Sequence, residues 1–287
     1  MKIGWIGFGN KGLELVNSLI YFGHEVYGYN RTYTKLSYAI ERGLIPVETI
    51  DELVSSVDVI FTMLDSSNSV YDVYCRKEGI LESCGKHDKK IVCIDLTTSS
   101  PKLAKFLANN DIGVEFLDAP FIFQKNIEDD SIFYYYAVGG KKHIFDKYKN
   151  LFNCLGSKVF YVGEAGSGQV TKKASELSLL SSNLAISEMI TYANEKKLDL
   201  NKLFSAVNNG AGSSLLLTEC FEKIVNKDYK LDYSNKQAII SVESILKENP
   251  KTIFALTKII YGILKKMELN DSILSMNEFY KENENEK

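Results

Sequence analysis

Up to about residue 162, short apolar runs alternate with stretches of helical period. Lys2 to Ile6 is one such run. Leu13, Val16, Leu19 and Ile20 then recur at helical spacing as far as Gly23, and 25–29 is again strand-like. Residues 57–64 and 90–95 are near-continuously apolar, as suits parallel strands covered on both faces. Further strands are predicted at 114–117, 133–138 and 158–162. The rhythm then changes. Residues 166–197 open on Gly-Ser-Gly and continue for about 28 residues without Pro or Gly, roughly 42 Å as a single helix. Leu177, Leu180, Leu184, Ile186, Met189, Ile190 and Ala193 form too wide a stripe for a surface helix and predict burial on most sides. Beyond it only helices are predicted. One has an N-cap at Asp199 and stops at Gly210, others span 234–247 and 252–267, and a last one starts at Asp271 before a frayed KENENEK end. The expected organisation is α/β over residues 1–163, a doubly wound parallel sheet, joined by the long helix to an all-α domain over 164–287.

The first strand ends in Gly7-Phe8-Gly9-Asn10-Lys11-Gly12, and a helical pattern follows directly. In that setting GxGxxG is the Rossmann fingerprint. Its glycines allow a tight turn and close packing, so that the helix N-terminus faces a pyrophosphate. The second strand ends in Asn30-Arg31-Thr32, where an NAD site usually places a carboxylate on the ribose hydroxyls. Arg31 stands there instead. A guanidinium can bind a 2′-phosphate, which favours NADP; the structural alternative is an exposed loop arginine. Polar residues follow two further strands, Asp65-Ser66-Ser67 and Thr97 to Pro101, at the strand ends where open α/β sheets bind ligands.

Composition narrows the class. A net charge of -3 leaves no electrostatic footprint for nucleic acid, and no basic run suggests a membrane surface. Five cysteines at irregular spacing and three histidines predict neither a disulfide framework nor a metal site. The chain starts on MKIGWIG without a leader pattern, and it has no apolar run long enough to span a bilayer. The expected location is the cytoplasm.

Taken in order, IGFGNKG, GHEVYGYNRT, VIFTMLDSS, IDLTTSSP, FLDAP, AVGG, GSGQVTKK and the segment Asn235-Lys236-Gln237 resemble the β-hydroxyacid dehydrogenase family. That group includes 3-hydroxyisobutyrate dehydrogenase and tartronate semialdehyde reductase. The resemblance runs almost end to end. It implies an oxidoreductase with a C-terminal domain like that of 6-phosphogluconate dehydrogenase, and a homodimer with the long helix against the partner subunit. Cofactor contacts are implied for Gly7, Phe8, Gly9, Asn10 and Lys11, for Asn30, Arg31, Thr32 and Lys35, for Met63, Leu64 and Asp65, and for Thr98 and Lys236. Lys172, the lysine of GxGxxxK, is implied as the catalytic residue.

Departures from the family pattern gather on the substrate side. After Asp-Ala-Pro the family has Ser-Gly-Gly, a turn whose hydroxyl and main-chain N–H groups grip a substrate carboxylate. Here the stretch is Phe121, Ile122, Phe123 and Gln124, which either makes the substrate site apolar or closes it. The following glycine-rich segment is replaced by NIEDDSIFYYY, the fingerprint methionine by Lys11, and an asparagine one turn after the lysine by Glu176. Phe121, Ile122, Phe123, Lys172 and Glu176 are the expected substrate contacts.

Carbonyl reduction needs a hydride from nicotinamide and a proton for the nascent alkoxide, and an ammonium beside the oxygen serves the second need. Glu176 shares a helix face with Lys172, would favour its charged form and would repel an anionic substrate. The structural alternatives are an ordinary i,i+4 salt bridge, or a Glu176 that faces solvent or neutralises Lys173. His24 reads as closing a turn, and Tyr134 to Tyr136 as a strand with aromatics on both faces or as a pocket lining. Three functions are consistent with these residues. They are an NADPH-dependent reductase of aldehydes or ketones, an imine reductase (a related group usually carrying Asp or Tyr at the lysine position), and a non-catalytic NADP-binding member.

Overall fold

Alternate side chains of a strand point to opposite faces, so a sheet covered on both sides needs apolar residues at every position. The computed structural model, which describes residues 1–110, 112–125, 132–156, 158–225 and 235–269, has this arrangement at its centre. Its strands are β1 (Lys2–Ile6), β2 (Glu25–Tyr29), β3 (Ile45–Pro46), β4 (Val59–Thr62), β5 (Val92–Asp95), β6 (Glu115–Asp118), β7 (Phe121–Lys125), β8 (Ile132–Gly140) and β9 (Lys158–Gly163). Val59 and Phe61 of β4 enter one core with Ile3, Trp5 and Ile94, while Ile60 enters the other with Leu53, Cys93 and Phe116. Trp5 stacks on Phe61 with centroids 5.6 Å apart, and Phe152 meets Phe61 edge-on. Truncating a buried aromatic of this kind costs about 3–5 kcal/mol.

The sheet runs β3-β2-β1-β4-β5-β6-β8-β7, with β9 paired to β8. Its first six strands are parallel and follow the order of a doubly wound dinucleotide fold, which reverses direction between β1 and β4. The helices of this part are α1 (Asn10–Tyr21), α2 (Ser37–Ile40), α3 (Ile50–Ser56), α4 (Ser67–Cys75), α5 (Ile80–Lys86), α6 (Pro101–Ala108) and α7 (Lys142–Tyr148). The strand expected at 57–64 is shorter than its apolar run. Val57 is buried as the C-cap of α3, and Met63 and Leu64 belong to the turn beyond β4. β7 is an element that apolar patterning did not single out: it is an edge strand, antiparallel to β8 with Phe121 opposite Tyr136 and Phe123 opposite Tyr134.

The long helix is α8 (Ser167–Glu195), and it is followed by α9 (Leu200–Val207), α10 (Leu215–Val225), α11 (Asn235–Glu248) and α12 (Ala255–Leu269). Contacts divide the chain into Met1–Lys172 and Lys173–Lys287, a break that falls inside α8. Within the second unit, Leu180 and Leu184 of α8 pack with Ala238, Ile239 and Val242 of α11 and Ile260 and Leu264 of α12. Leu180, Leu184, Ser187, Ile190 and Ala193 are buried in a single chain, whereas Leu177, Ile186 and Met189 are half-buried. The stripe is therefore narrower than its apolar count suggests. The Asp199 carboxylate caps α9, accepting the N–H groups of Asn201 at 2.8 Å and Lys202 at 3.2 Å, and the helix ends at Val207 rather than Gly210. α10, anchored by the stacking of Phe221 on Phe204 at 4.1 Å, had no clear start signal. The helix expected from Asp271 and the KENENEK end lie outside the described residues. No helix among the described residues is long and apolar enough to cross a membrane.

Candidate active site

Between β1 and α1 the glycines do separate jobs. Gly7 has φ +106°, in the region that favours glycine, and a Cβ there would lie 2.1 Å from the carbonyl oxygen of Met63. Gly12 packs α1 onto the turn so closely that its Cβ would lie 2.4 Å from the Gly7 carbonyl oxygen. The indole N–H of Trp5 donates to that same oxygen at 2.8 Å and braces the turn from the core. At Gly9, by contrast, an added Cβ would meet nothing within 4 Å. Gly9 is also the N-cap of α1, which has no side-chain cap and no acidic residue in its first turn. Uncapped N–H groups facing open space suit the pyrophosphate of a dinucleotide, so these residues fit the cofactor that the fingerprint implies.

A cleft of about 660 Å³ opens from this turn. Gly7, Phe8, Gly9, Asn10 and Lys11 line one side of it, Asn30, Arg31, Thr32 and Lys35 a second, and Met63, Leu64 and Asp65 a third. The structure thus gathers these three separate sequence segments around one space. The Asn30 amide donates to the Thr32 carbonyl at 2.8 Å and shapes the loop. Arg31 is exposed and makes no ion pair among the described residues. Asp65 accepts hydrogen bonds from Ser69 at 2.5 Å and Ser66 at 3.2 Å; these, together with the charge of Arg31, hold its carboxyl below the usual range. Thr98 is exposed and does not line this cleft, and the side chain of Lys236 lies outside the described residues.

Sequence reasoning missed the wall formed by Tyr29 and Arg76. Arg76, at the C-cap of α4, donates from Nη2 to the Tyr29 hydroxyl at 3.0 Å and pairs with Asp72 at 3.7 Å. Asn68, Ser69, Asp72 and Val73 complete that side. An Asp-Arg pair at i,i+4 is ordinary helix chemistry, and no motif signals it.

The start of α8 is fastened to the strand ends of the same unit. The Gln169 side-chain amide donates to the Thr97 carbonyl at 2.8 Å and its oxygen accepts the Ser99 N–H at 2.7 Å, both in the loop after β5. Gly168 lets the helix approach, since a Cβ there would stand 2.4 Å from the Ala137 carbonyl and 2.6 Å from that of Asp118. The buried Asp118 carboxylate accepts the N–H groups of Gly166 and Gln169. Burial pushes its pKa up to about 6 despite those bonds. Deeper in the sheet, Asp95 accepts from the Thr62 hydroxyl at 2.8 Å and the Thr97 N–H at 3.2 Å, and burial pushes it up to about 7.

Lys172, only 6% exposed, lies on the second turn of this helix with its ammonium 5.5 Å from the centre of the Phe121 ring. Phe121 meets Tyr134 edge-on at 5.4 Å, and the Lys11 ammonium sits 3.7 Å from the centre of the Tyr134 ring while pairing with Glu14. Phe121, Ile122 and Phe123 are each half-buried. The neighbouring Lys173 belongs to the second unit, where it donates to Ser244 at 2.7 Å and to Glu248 at 2.8 Å. Glu176 is buried and accepts the hydroxyl of Ser241.

Comparison with known proteins agrees with this geometry. The model of the NAD binding domain of 6-phosphogluconate dehydrogenase matches residues 2–163. The chain is 29% identical over 248 residues to the uncharacterized oxidoreductase YkwC of Bacillus subtilis, covering 86% of this chain and 85% of that one. It is 30% identical over 238 residues to the probable mitochondrial 3-hydroxyisobutyrate dehydrogenase-like 1 of Arabidopsis thaliana, covering 79% of this chain and 68% of the relative. Its fold matches that of Mycobacterium tuberculosis 3-hydroxyisobutyrate dehydrogenase with TM-score 0.85 at 21% identity, over 98% of both chains. With a glycine turn, cleft and sheet order of this kind inside the matched region, the chain belongs to the β-hydroxyacid dehydrogenase family of NAD(P)-dependent oxidoreductases acting on CH–OH groups.

Proposed function

We propose that the protein is an NADPH-dependent reductase of a small carbonyl compound, with Lys172 as the proton donor to the oxygen that becomes the alcohol. The position of Lys172 carries this reading. It is a buried lysine on a helix whose first turn is bonded through Gln169 and Asp118 to the carboxyl ends of the strands, in the same unit as the cofactor cleft. Ligands of open α/β sheets bind at those strand ends.

The bound nicotinamide supplies the hydride. Lys172 hydrogen-bonds the substrate oxygen, stabilises the negative charge that grows there and passes it one proton, so carbonyl, hydride and proton balance as alcohol. In the oxidising direction the neutral amine takes that proton back. Burial strengthens the interaction of the ammonium with the developing charge. Gln169 and Asp118 hold the turn beforehand, so little ordering remains for the moment of reaction.

Arg31 supports the choice of NADP. It stands exposed at the end of β2, on the wall of the cleft where a carboxylate would exclude a 2′-phosphate. In this reading residues 1–163 hold the cofactor, residues 164–287 serve the substrate and the contact between two copies, and the enzyme is a cytoplasmic homodimer. The test is loss of reduced-nicotinamide absorbance with NADPH and NADH against aldehydes, ketones, hydroxyacid-derived semialdehydes and cyclic imines, repeated with Lys172→Ala. Turnover of a carbonyl compound that needs Lys172 is expected. A preference for imines over every carbonyl would transfer the protein to the imine-reducing reading, and cofactor binding with no turnover at all would leave a binding protein.

A further inference from the structure

Two of the places where this chain departs from its family meet beside the lost turn. Lys11 replaces the methionine of the fingerprint, Tyr134 lies in the segment that replaces a glycine-rich one, and Phe121 precedes the lost Ser-Gly-Gly turn. In the structure these three touch in sequence. The Lys11 ammonium sits over Tyr134 at 3.7 Å, Tyr134 meets Phe121 edge-on at 5.4 Å, and Phe121 faces the Lys172 ammonium at 5.5 Å. The stack begins on the wall of the cofactor cleft, which Lys11 lines, and ends at the proton donor. Two aromatic rings therefore join the wall of the cofactor cleft to Lys172.

This arrangement disfavours a carboxylate and favours an apolar group. The Lys11 charge is already matched by Glu14 and by a ring face, so it offers little to an anion. Residues 121–123 form part of a strand, and alternate N–H groups on it are committed to the ladder with β8 rather than gathered in a turn that could grip an oxyanion. Phe121 and Phe123 share one face of this strand and are half-buried, so their apolar wall retains accessible surface and is not sealed into the core. A ring packs well against such a wall, since aromatic pairs gain from edge and offset contacts beyond the area they bury.

We infer that the substrate is a neutral carbonyl compound bearing an apolar, phenyl-sized substituent, which rests on the wall begun by Phe121 while its oxygen meets Lys172. This rests on the reading of Lys172 as the proton donor. It is tested without turnover by calorimetric titration of benzyl alcohol and of 3-hydroxypropionate into the full chain saturated with oxidised nicotinamide cofactor. The aromatic alcohol is expected to bind at least about ten-fold more tightly than the hydroxyacid, and Phe121→Ala to remove most of that margin while Phe121→Leu keeps part of it. Tighter binding of the hydroxyacid, no binding of either, or a preference unchanged in Phe121→Ala protein that melts normally would each overturn the inference. Lys172→Ala distinguishes the two proposals. If its turnover is normal while the binding preference survives, the proton-donor role fails and the apolar wall stands.

Discussion

The carboxylate of Asp118 accepts the main-chain N–H of Gln169 at 2.9 Å, and so the last residue of β6 caps the helix that carries Lys172. The same carboxylate takes the Gly166 N–H at 2.7 Å. Each N–H bonds a different carboxylate oxygen, so Asn keeps the shape but puts an NH2 against one of the two donors and loses that bond. Asp118→Asn is expected to lower stability by about 1–3 kcal/mol, the scale of charge-assisted hydrogen bonds to a buried group. Turnover should fall with it because the start of α8 loosens. Denaturant unfolding and steady-state kinetics on one preparation check this; unchanged values in both would show that Gln169 alone fastens the turn.

The stability contributed by Asp95 and Asp118 should fall as pH rises from about 4 to 7. Burial pushes the pKa of folded Asp95 up to about 7 and that of Asp118 up to about 6, above the ordinary carboxylate range. Over that window the folded protein binds more protons than the unfolded chain. The stability linked to these groups is fully present below pH 3.8 and is lost as pH rises through 6 and then 7. For Asp95 the span corresponds to at most on the order of 4 kcal/mol. Asp95→Asn should flatten the pH dependence of the denaturation midpoint between roughly pH 5 and 7.5, the range around its raised pKa. An equally steep profile in the variant would assign the slope to other groups.

Two glycines separate binding from folding. At Gly9 a methyl group meets no protein atom within 4 Å and projects beside the cleft, so Gly9→Ala should melt normally and bind cofactor worse, by about ten-fold or more. At Gly168 a Cβ would press on two carbonyl oxygens, those of Ala137 and Asp118, so Gly168→Ala should destabilise by about 1–3 kcal/mol as the helix backs away from the sheet. Thermal melts with and without cofactor distinguish the two, and a Gly9→Ala protein with normal cofactor affinity would place the pyrophosphate elsewhere.

Cofactor choice and cofactor affinity should also separate, on Arg31 and Arg76. Arg31 lines the cleft, and if it binds a 2′-phosphate as proposed, Arg31→Ala is expected to cost about 1–3 kcal/mol with NADPH and little with NADH. Arg76 is bonded to Tyr29 on the wall of the same cleft, and its removal should weaken both cofactors alike. Equilibrium titrations of each variant with each cofactor are the measurement. Equal affinities of the unaltered protein for NADPH and NADH would remove the basis for the Arg31 assignment.

What could be read from the sequence follows how local the physical cause is. The glycine turn was legible because Gly7, Gly9 and Gly12 fall at fixed spacing between one strand and the next helix, and Gly12 packs directly on the Gly7 carbonyl. The Arg76 wall was not, because its partner Tyr29 lies 47 residues away and neither residue belongs to a motif. Apolar runs overstated β4, since Val57 and Leu64 are apolar for the sake of a helix cap and a cleft wall rather than the ladder. The stretch after Asp-Ala-Pro could be read as a lost clamp, but its strand geometry depends on pairing with Tyr134, Tyr135 and Tyr136. Spacing also left open whether Glu176 neutralises Lys173. Lys173 reaches Glu248, 75 residues on, which no helical periodicity could reveal.

Adjacent lysines give the sharpest test of the catalytic assignment. Lys172 and Lys173 are both buried, yet one faces Phe121 in the cofactor-binding unit and the other is held by Ser244 and Glu248 in the helical unit. If Lys172 donates the proton, Lys172→Ala should lose about 10²–10⁴ in turnover with cofactor affinity nearly unchanged, because a general acid acts only on the reacting oxygen. Lys173→Ala should do the reverse. It leaves Glu248 with the Ser244 hydroxyl but without its counter-charge, lowering stability by about 1–3 kcal/mol, with turnover of the folded fraction largely retained. Lys172→Ala protein with near-normal turnover on the best substrate found would sink the assignment, and loss of turnover in Lys173→Ala at full stability would move the donor by one residue.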